Sequence, residues 1–466
     1  MAGLFQVFFW LSRDNLVTLN ENSFEKIESL SYSPFEGYDK NLLSSEQIAY
    51  DVNLFENFTN KLRTYGTLEA YKILQSSKDS NLPIDLGLWI GGDLEENNLE
   101  IQRALEILKE YPNRIQSVIV GNEVLLRKEL EPLELYAYID FMKSHTKKPV
   151  TTAETWDIWE KNPQLASHVD FLTIHILPYW EKVPIERYNE FIIEKYSVVE
   201  ELFPNRKIVI GETGWPSHGY NNNSAIPSIK NQAQAIRGFV NLAHEKGWHY
   251  NIIEALDQPW KGYDEGNVGQ YWGIFTTDRA LKFQLAGEVE LNKYWLYQMI
   301  AAIIIGALLT LFGLKNQRVN ISHAFAYAIA AQGMAFGIVM AAIYPFVNYM
   351  NFGMWIMWGM GSFLMIPLVI ITLAKANELF RSSIGVQPSR LVPLDLKSKN
   401  APLVSIHVPA YKEQPHVLAE TLESLSKLTY PNYEVLVIIN NTPEDFYKAP
   451  IKELCEKLGD KFKYLD

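Results

Sequence analysis

A (β/α)8 TIM barrel, followed by three transmembrane helices and a partial α/β segment, is the architecture the sequence predicts, and three observations predict it. Between residues 24 and 292, short strand-like runs alternate with amphipathic helical stretches eight times, as a closed parallel barrel requires. From Tyr294 to Ala374 there is no Asp or Glu, and the only Lys or Arg are Lys315 and Arg318, which no water-facing domain of that length shows. At Val404, after a basic stretch, a new strand, helix and strand pattern begins. The chain therefore divides into an apolar segment (1–23), a barrel (24–292), three transmembrane helices (293–375), a basic linker (376–403) and an α/β segment (404–466).

The apolar run 4–11 lacks a basic flank and is too short to span a bilayer. It reads as the remnant of an anchor shortened upstream, the alternative being an apolar strand or helix packed on the next domain. The eight barrel strands are expected at 27–35, 61–66, 85–91, 115–123, 149–154, 169–179, 207–215 and 250–260. Helices fit between them. Residues 46–58 follow Ser44 and Ser45 as cap candidates, and 99–109 and 232–243 carry apolar residues at helical spacing. An open doubly wound sheet fits less well, because no GxGxxG follows the first strand and chemically useful residues end nearly every strand.

Three apolar runs, near 294–314, 322–347 and 353–374, are each long enough to cross a hydrocarbon core of about 30 Å. Lys315 and Arg318 separate the first two, and Lys375, Arg381, Arg390, Lys397 and Lys399 follow the third, whereas the 348–351 turn carries no positive charge. The positive-inside rule puts the C-terminal segment in the cytoplasm. Three crossings then put the barrel on the periplasmic or extracellular side of an inner or plasma membrane, with the lipid bilayer as a partner.

Composition narrows the function. Of 466 residues, 48% are hydrophobic and 13% aromatic, which excludes a disordered or low-complexity chain. The net charge of −12 argues against a nucleic-acid partner, since phosphates need a basic face. Cys455 is the sole cysteine, so neither an intrachain disulfide nor a cysteine zinc site can form.

Strand four ends Val120-Gly121-Asn122-Glu123 and strand seven Gly211-Glu212-Thr213-Gly214-Trp215-Pro216, so each sets a carboxylate after a buried apolar run, where barrels build their sites. Two carboxylates across one mouth are what glycoside hydrolysis needs: one protonates the leaving oxygen, the other attacks or activates water. Trp89, Trp156, Tyr179, Trp180, Trp215, Trp260 and Trp272 near the rim offer flat faces for sugar rings, and Arg63, Asn122, Asp257 and Lys261 offer hydrogen bonds to hydroxyls. No H-E-x-x-H or similar cluster suggests a metal.

On the motifs at strands four and seven, residues 27–288 resemble family 17 of the glycoside hydrolases, the endo-β-1,3-glucanase family. Arg63 and Tyr65 sit where that family has Arg-x-Tyr, Pro178-Tyr179 resembles its strand-six region, and Tyr271-Trp272-Gly273-Ile274-Phe275 resembles its closing segment. The resemblance implies a retaining mechanism on β-1,3-glucan with Glu123 as acid/base, Glu212 as nucleophile and no cofactor or metal. Tyr65, His175, Tyr179 and the rim residues above are then substrate contacts. His175 departs from the family's usual Asn-x-Tyr-Pro-Tyr and is either an altered sugar contact or a satisfied barrel histidine.

Val404-Ser405-Ile406-His407-Val408-Pro409-Ala410-Tyr411-Lys412-Glu413, with a helix at 418–428 and a strand at 435–439, resembles the opening of a family 2 glycosyltransferase of the processive β-glucan synthase kind. That resemblance implies a glycosyltransferase-A-like fold. A UDP-sugar and a divalent metal are expected only for a complete transferase, and Ile439 stands where the uridine-binding Asp is expected. Transfer chemistry is therefore not expected from residues 404–466. A synthase whose barrel remodels its polymer by transglycosylation, and a non-catalytic glycan-binding barrel, are the alternatives to a membrane-anchored glucanase.

Overall fold

The computed structural model describes residues 2–11, 16–19, 26–315, 317–386 and 401–466. Eight parallel strands close into a barrel: β1 (Leu30–Ser31), β2 (Leu62–Arg63), β3 (Ile84–Leu88), β4 (Ile115–Asn122), β5 (Val150–Thr155), β6 (Leu172–His175), β7 (Ile208–Thr213) and β8 (His249–Ile252). Each pairs with its sequence neighbours, and β8 closes on β1 through Ile252 and Leu30. All eight fall within or across the expected segments. Strands β1, β2, β6 and β8 are shorter than expected, because the chain leaves the ladder early to form the loops of the C-terminal mouth.

Local chemistry sets the surrounding helices. Ser44 and Gln47 form a reciprocal capping box for Ser45–Phe55. Asp93 accepts from the backbone N–H of Glu95 and Glu96, so Leu94–Glu110 starts a turn earlier than its apolar spacing suggests. Ile229–Lys246 stops at Gly247, whose φ of 66° is left-handed. Leu86, Leu88, Val118, Val120, Ile174 and Ile210 are completely buried between barrel and helices.

Three helices long and apolar enough to cross a bilayer follow: Trp295–Leu314, Ile321–Val347 and Phe352–Ser383. At a rise of about 1.5 Å per residue the shortest spans about 30 Å. The short helix Ala2–Leu11 packs into this bundle rather than onto the barrel, with Gln6 Nε2 donating to the Gln332 carbonyl at 2.6 Å and Phe9 edge-on to Phe336. Leu16–Val17 then pairs antiparallel with Val289–Glu290, beside the exit from the barrel. The 348–351 turn between the second and third long helices lies against the barrel. Tyr349 Oη donates to Asp257 Oδ2 at 2.9 Å, its ring stacks on Tyr271, and Tyr38 Oη donates to its carbonyl at 2.6 Å. This end of the bundle is thus the barrel's end.

Residues 401–466 belong to a separate compact unit. Parallel strands β9 (Val404–Ala410), β10 (Tyr433–Ile439) and β11 (Phe462–Leu465) carry helices Pro415–Ser426 and Asp445–Leu458, packed through Leu418, Leu422, Val435, Val437, Ile451 and Cys455. This is the partial α/β segment expected.

Candidate active site

Two irregular strand ends aim the central carboxylates. The β4 ladder shifts register between Ile119 and Asn122, Gly121 adopts a left-handed φ of 83°, and Glu123 follows at φ 55°. A Cβ on Gly121 would strike the Val124 side chain, so the bend needs glycine twice over. On β7 the register shifts between Ile210 and Glu212. Gly211 lies so close to Thr173 that a side chain there would collide, which lets Glu212 sit low in the mouth.

One oxygen of Glu123 and one of Glu212 lie within 4.8 Å of each other. Between them stands His175, fully buried, with Nδ1 2.7 Å from Glu123 Oε1 and Nε2 3.6 Å from Glu212 Oε1. Arg63 reaches up from β2: Nη1 donates to the Gly211 carbonyl at 2.5 Å and stands 3.3 Å from both Glu212 Oε1 and His175 Nε2, and Nη2 donates to Asn122 Oδ1 at 2.6 Å. Among the described residues Glu212 Oε1 has the Arg63 charge beside it but no hydrogen bond. Glu123, His175 and Glu212 are also grouped tightly enough for a metal ion, but the guanidinium in contact with two of the three opposes a further cation.

Burial would raise the Glu123 carboxyl, but the His175 hydrogen bond and the charges of Arg127 and Arg63 outweigh it and hold the group below the ordinary range. Behind it, burial pushes Glu154 up to about 7 although it accepts from the backbone N–H of Leu125 and Leu126. Those bonds fix the loop that carries Glu123.

A cleft of about 560 Å³ opens above this pair. Of the residues expected as sugar contacts, Tyr65, Trp89, Asn122, Trp260 and Lys261 line it together with Glu123 and Glu212. Arg63 and His175 lie beneath its floor, bonded to the carboxylates. Tyr179 and Trp215 are completely buried; Tyr179 Oη donates to the Tyr220 carbonyl and Trp215 Nε1 to that of Ile226, so both hold the loop after β7 rather than facing the cleft. Trp180 stacks on Trp272 outside the lining. Asp257 points the other way, into a buried ion pair with Lys282 at 2.7 Å. A cavity of about 570 Å³ at the opposite mouth is lined by Lys61, Asp85, Lys207 and His249 and lies away from the carboxylate pair's open side.

Several cleft residues escaped the sequence reading. Arg127 lies over the exposed Trp89 ring at 4.5 Å, and Lys40 lies over Trp260 at 4.3 Å. Asp264 and Glu265 also line the cleft. Arg127 follows Glu123 by four residues in a turn, its backbone N–H donating to the Glu123 carbonyl at 2.8 Å. Lys40, in a two-strand turn of the first loop, had no local signal in the sequence.

The barrel and its facing carboxylates define a glycoside hydrolase of the (β/α)8 class. Within it, the chain belongs to the BtgE/BtgC glycoside hydrolase domain family, matched over residues 29–273, and so to the family 17 β-1,3-glucanase-like barrels. It is 25% identical over 260 residues to the probable family 17 glucosidase SCW4 of Saccharomyces cerevisiae, covering 54% of this chain and 66% of that protein, just under two thirds of its length. It is 27% identical over 255 residues to a glucan 1,3-beta-glucosidase of Schizosaccharomyces pombe, covering 50% and 79%. An active-site mutant of Rhizomucor miehei beta-1,3-glucanosyltransferase in complex with laminaritriose matches with a TM-score of 0.50 at 25% identity, over 55% of this chain and 95% of that one. Residues 405–466 match glycosyl transferase family 2.

Proposed function

We propose that the barrel is a membrane-anchored retaining enzyme that cleaves β-1,3-glucan by double displacement. The observation that carries this is the approach of Glu123 and Glu212 to within 4.8 Å at the floor of an aromatic-walled cleft. Retaining enzymes hold their carboxyl groups about 5–5.5 Å apart, and inverting ones about 6.5–9.5 Å, to admit a water. Glu212, its Oε1 held beside Arg63 at the cleft floor, lines the cleft and is suited to attack the anomeric carbon as a carboxylate. Glu123 gives its proton to the leaving oxygen, then takes one from the incoming hydroxyl. Trp89 and Trp260, which both line the cleft, stack against sugar rings, and Lys261 binds hydroxyls.

Transglycosylation is the second reading. It shares the glycosyl-enzyme and differs only in whether water or a sugar resolves it; the two aromatic walls, which favour a sugar acceptor over water, and the likeness to a glucanosyltransferase support it. The three apolar helices anchor the enzyme in a bilayer, and the charge bias around them supports a barrel on the outer side and a cytoplasmic C-terminus. Residues 404–466 supply the opening of a sugar-nucleotide fold without a site of their own; Asn440 and Asn441 follow β10 with no Asp at its end.

The test uses the full chain in detergent micelles with a linear β-1,3-glucan oligosaccharide, products being read by mass spectrometry. Shorter oligomers alone identify a hydrolase, and longer or branched ones a glucanosyltransferase. No change across β-1,3, β-1,4 and β-1,6 substrates would support a binding barrel instead. Glu212→Gln should abolish turnover of every substrate, whereas Glu123→Gln should keep activity on aryl glycosides whose leaving groups need little protonation.

A further inference from the structure

Among the described residues, His175 stands against both carboxylates, and neither carboxylate's assigned role makes use of it. It ends β6 with its ring enclosed by Glu123 on the loop after β4, Arg63 on β2 and Gly211 and Glu212 on β7, while Thr155 of β5 pairs beside it. The ionisable groups facing it are therefore Glu123, Glu212 and Arg63, with Glu154 behind Glu123. A guanidinium keeps its protons at any working pH and can only donate. Arg63 Nη1, 3.3 Å from Nε2, thus makes Nε2 the acceptor and leaves the ring proton on Nδ1, which donates to Glu123 Oε1 at 2.7 Å.

We propose that His175 is a positioning residue for glycosyl transfer: held by Arg63 in its Nδ1–H form, it occupies Glu123 Oε1 and leaves Oε2 to exchange the proton with substrate. This rests on Glu123 being the acid/base. In the first step the Oε2 proton goes to the glycosidic oxygen as the bond from that oxygen to C1 breaks and Glu212 bonds to C1. In the second, an acceptor oxygen bonds to C1 as the Glu212 ester breaks, and the acceptor's proton returns to Oε2. A donor on Oε1 holds the carboxyl in one rotamer through both steps and favours its ionised form, the base that the second step requires. His175 also links the two carboxylates to Arg63, so the ring sits in register with the nucleophile.

The experiment compares His175→Leu, which removes the donor, with His175→Asn, whose amide N–H stands close to where Nδ1–H stood. Both are made in the full chain, and kcat/KM is followed against pH on a β-1,3-glucan oligosaccharide and on an activated aryl β-glucoside. For His175→Leu the proposal expects about a tenfold or greater loss on the oligosaccharide, a smaller loss on the aryl substrate, and an alkaline limb displaced upward by about one pH unit as Glu123 loses its donor. His175→Asn should recover most of the rate, with its limb near the parent's. An unmoved limb in His175→Leu, or His175→Asn no better than His175→Leu, would overturn the proposal. Should His175→Leu fail to fold, the His175→Asn profile decides alone, a displaced limb or lost activity counting against it. Glu123→Gln run alongside separates the two claims. If it stays active on the oligosaccharide, the acid/base assignment fails; if it is inactive while His175→Leu is silent, only the positioning role does.

Discussion

Lys261 and Lys282 both lie buried in the segment after β8, and both pair with a carboxylate from it. Lys261 donates to Glu254 at 2.8 and 2.9 Å, and Lys282 to Asp257 at 2.7 Å. Their surroundings diverge. Lys261 faces the cleft, where burial would lower its pKa but Glu254, Glu265 and Glu212 outweigh that and hold it above the ordinary value. Lys282 has Asp257 as its main anionic neighbour, and burial carries it below the ordinary value. The cleft pair thus presents a firmly charged ammonium to the cleft. The rim pair, capped by Ser217 Oγ on one side and Tyr349 Oη on the other, is sealed between the barrel and the 348–351 turn. Identical chemistry faces an open cleft in one place and a packed contact in the other, and the neighbours rather than the residue types decide which.

The sharpest way to break this contrast is Asp257→Leu, which strands Lys282 in a site without a counter-charge. The expected cost is about 3–5 kcal/mol of stability, read from the denaturant midpoint of the full chain in micelles. A change below about 1 kcal/mol would mean that the rim pair is open to water and no different from a surface pair.

Glu154 extends the comparison to a buried carboxylate held by backbone N–H groups rather than by a lysine. Its pKa of about 7 exceeds the ordinary value of 4.5, so its stabilising contribution is complete below pH 4.5 and is lost as pH rises through 7. Glu154→Gln should remove up to about 3 kcal/mol of that fall. Glu69 and Glu254, also pushed up to about 7, keep the remainder of the slope. An unchanged slope in Glu154→Gln would show that the group ionises without penalty.

Lys261→Met should lower kcat/KM on glucan oligosaccharides about tenfold, the scale of one charge-assisted hydrogen bond to substrate. If only stability changes, the cleft pair is as structural as the rim pair and the contrast disappears. Tyr349→Phe removes a single hydroxyl from Asp257. About 1–1.5 kcal/mol of stability should go, with kcat/KM unchanged within twofold. A rate loss matching that of Lys261→Met would make the membrane turn part of the catalytic machinery.

Much of this was legible in the sequence, and the boundary is physical. The eight strands show as apolar runs because parallel barrel strands are buried on both faces, and the three apolar helices show because lipid leaves no room for Asp or Glu. Glu123 and Glu212 were legible because glycines mark the strand ends that aim them. Asp257 and Lys261 look equivalent as sequence, four residues apart after one strand, yet only Lys261 reaches the cleft. What separates them is Tyr349, 92 positions beyond Asp257, whose approach depends on how the helices return to the barrel. Tyr179 and Trp215 were read as sugar platforms on the strength of being rim aromatics, but their polar atoms are already taken by the carbonyls of Tyr220 and Ile226. No local pattern reports a bond made across a loop.

The central claim, that Glu123 and Glu212 work as an acid/base and nucleophile pair, is tested most directly by the anomeric form of the newly created reducing end. Proton NMR during the opening minutes of cleavage of a β-1,3-glucan oligosaccharide distinguishes the two forms before mutarotation mixes them. Double displacement predicts a new reducing end that appears as the β-anomer and only later equilibrates. Initial release of the α-anomer would mean a single displacement by water and would contradict the roles assigned to both carboxylates.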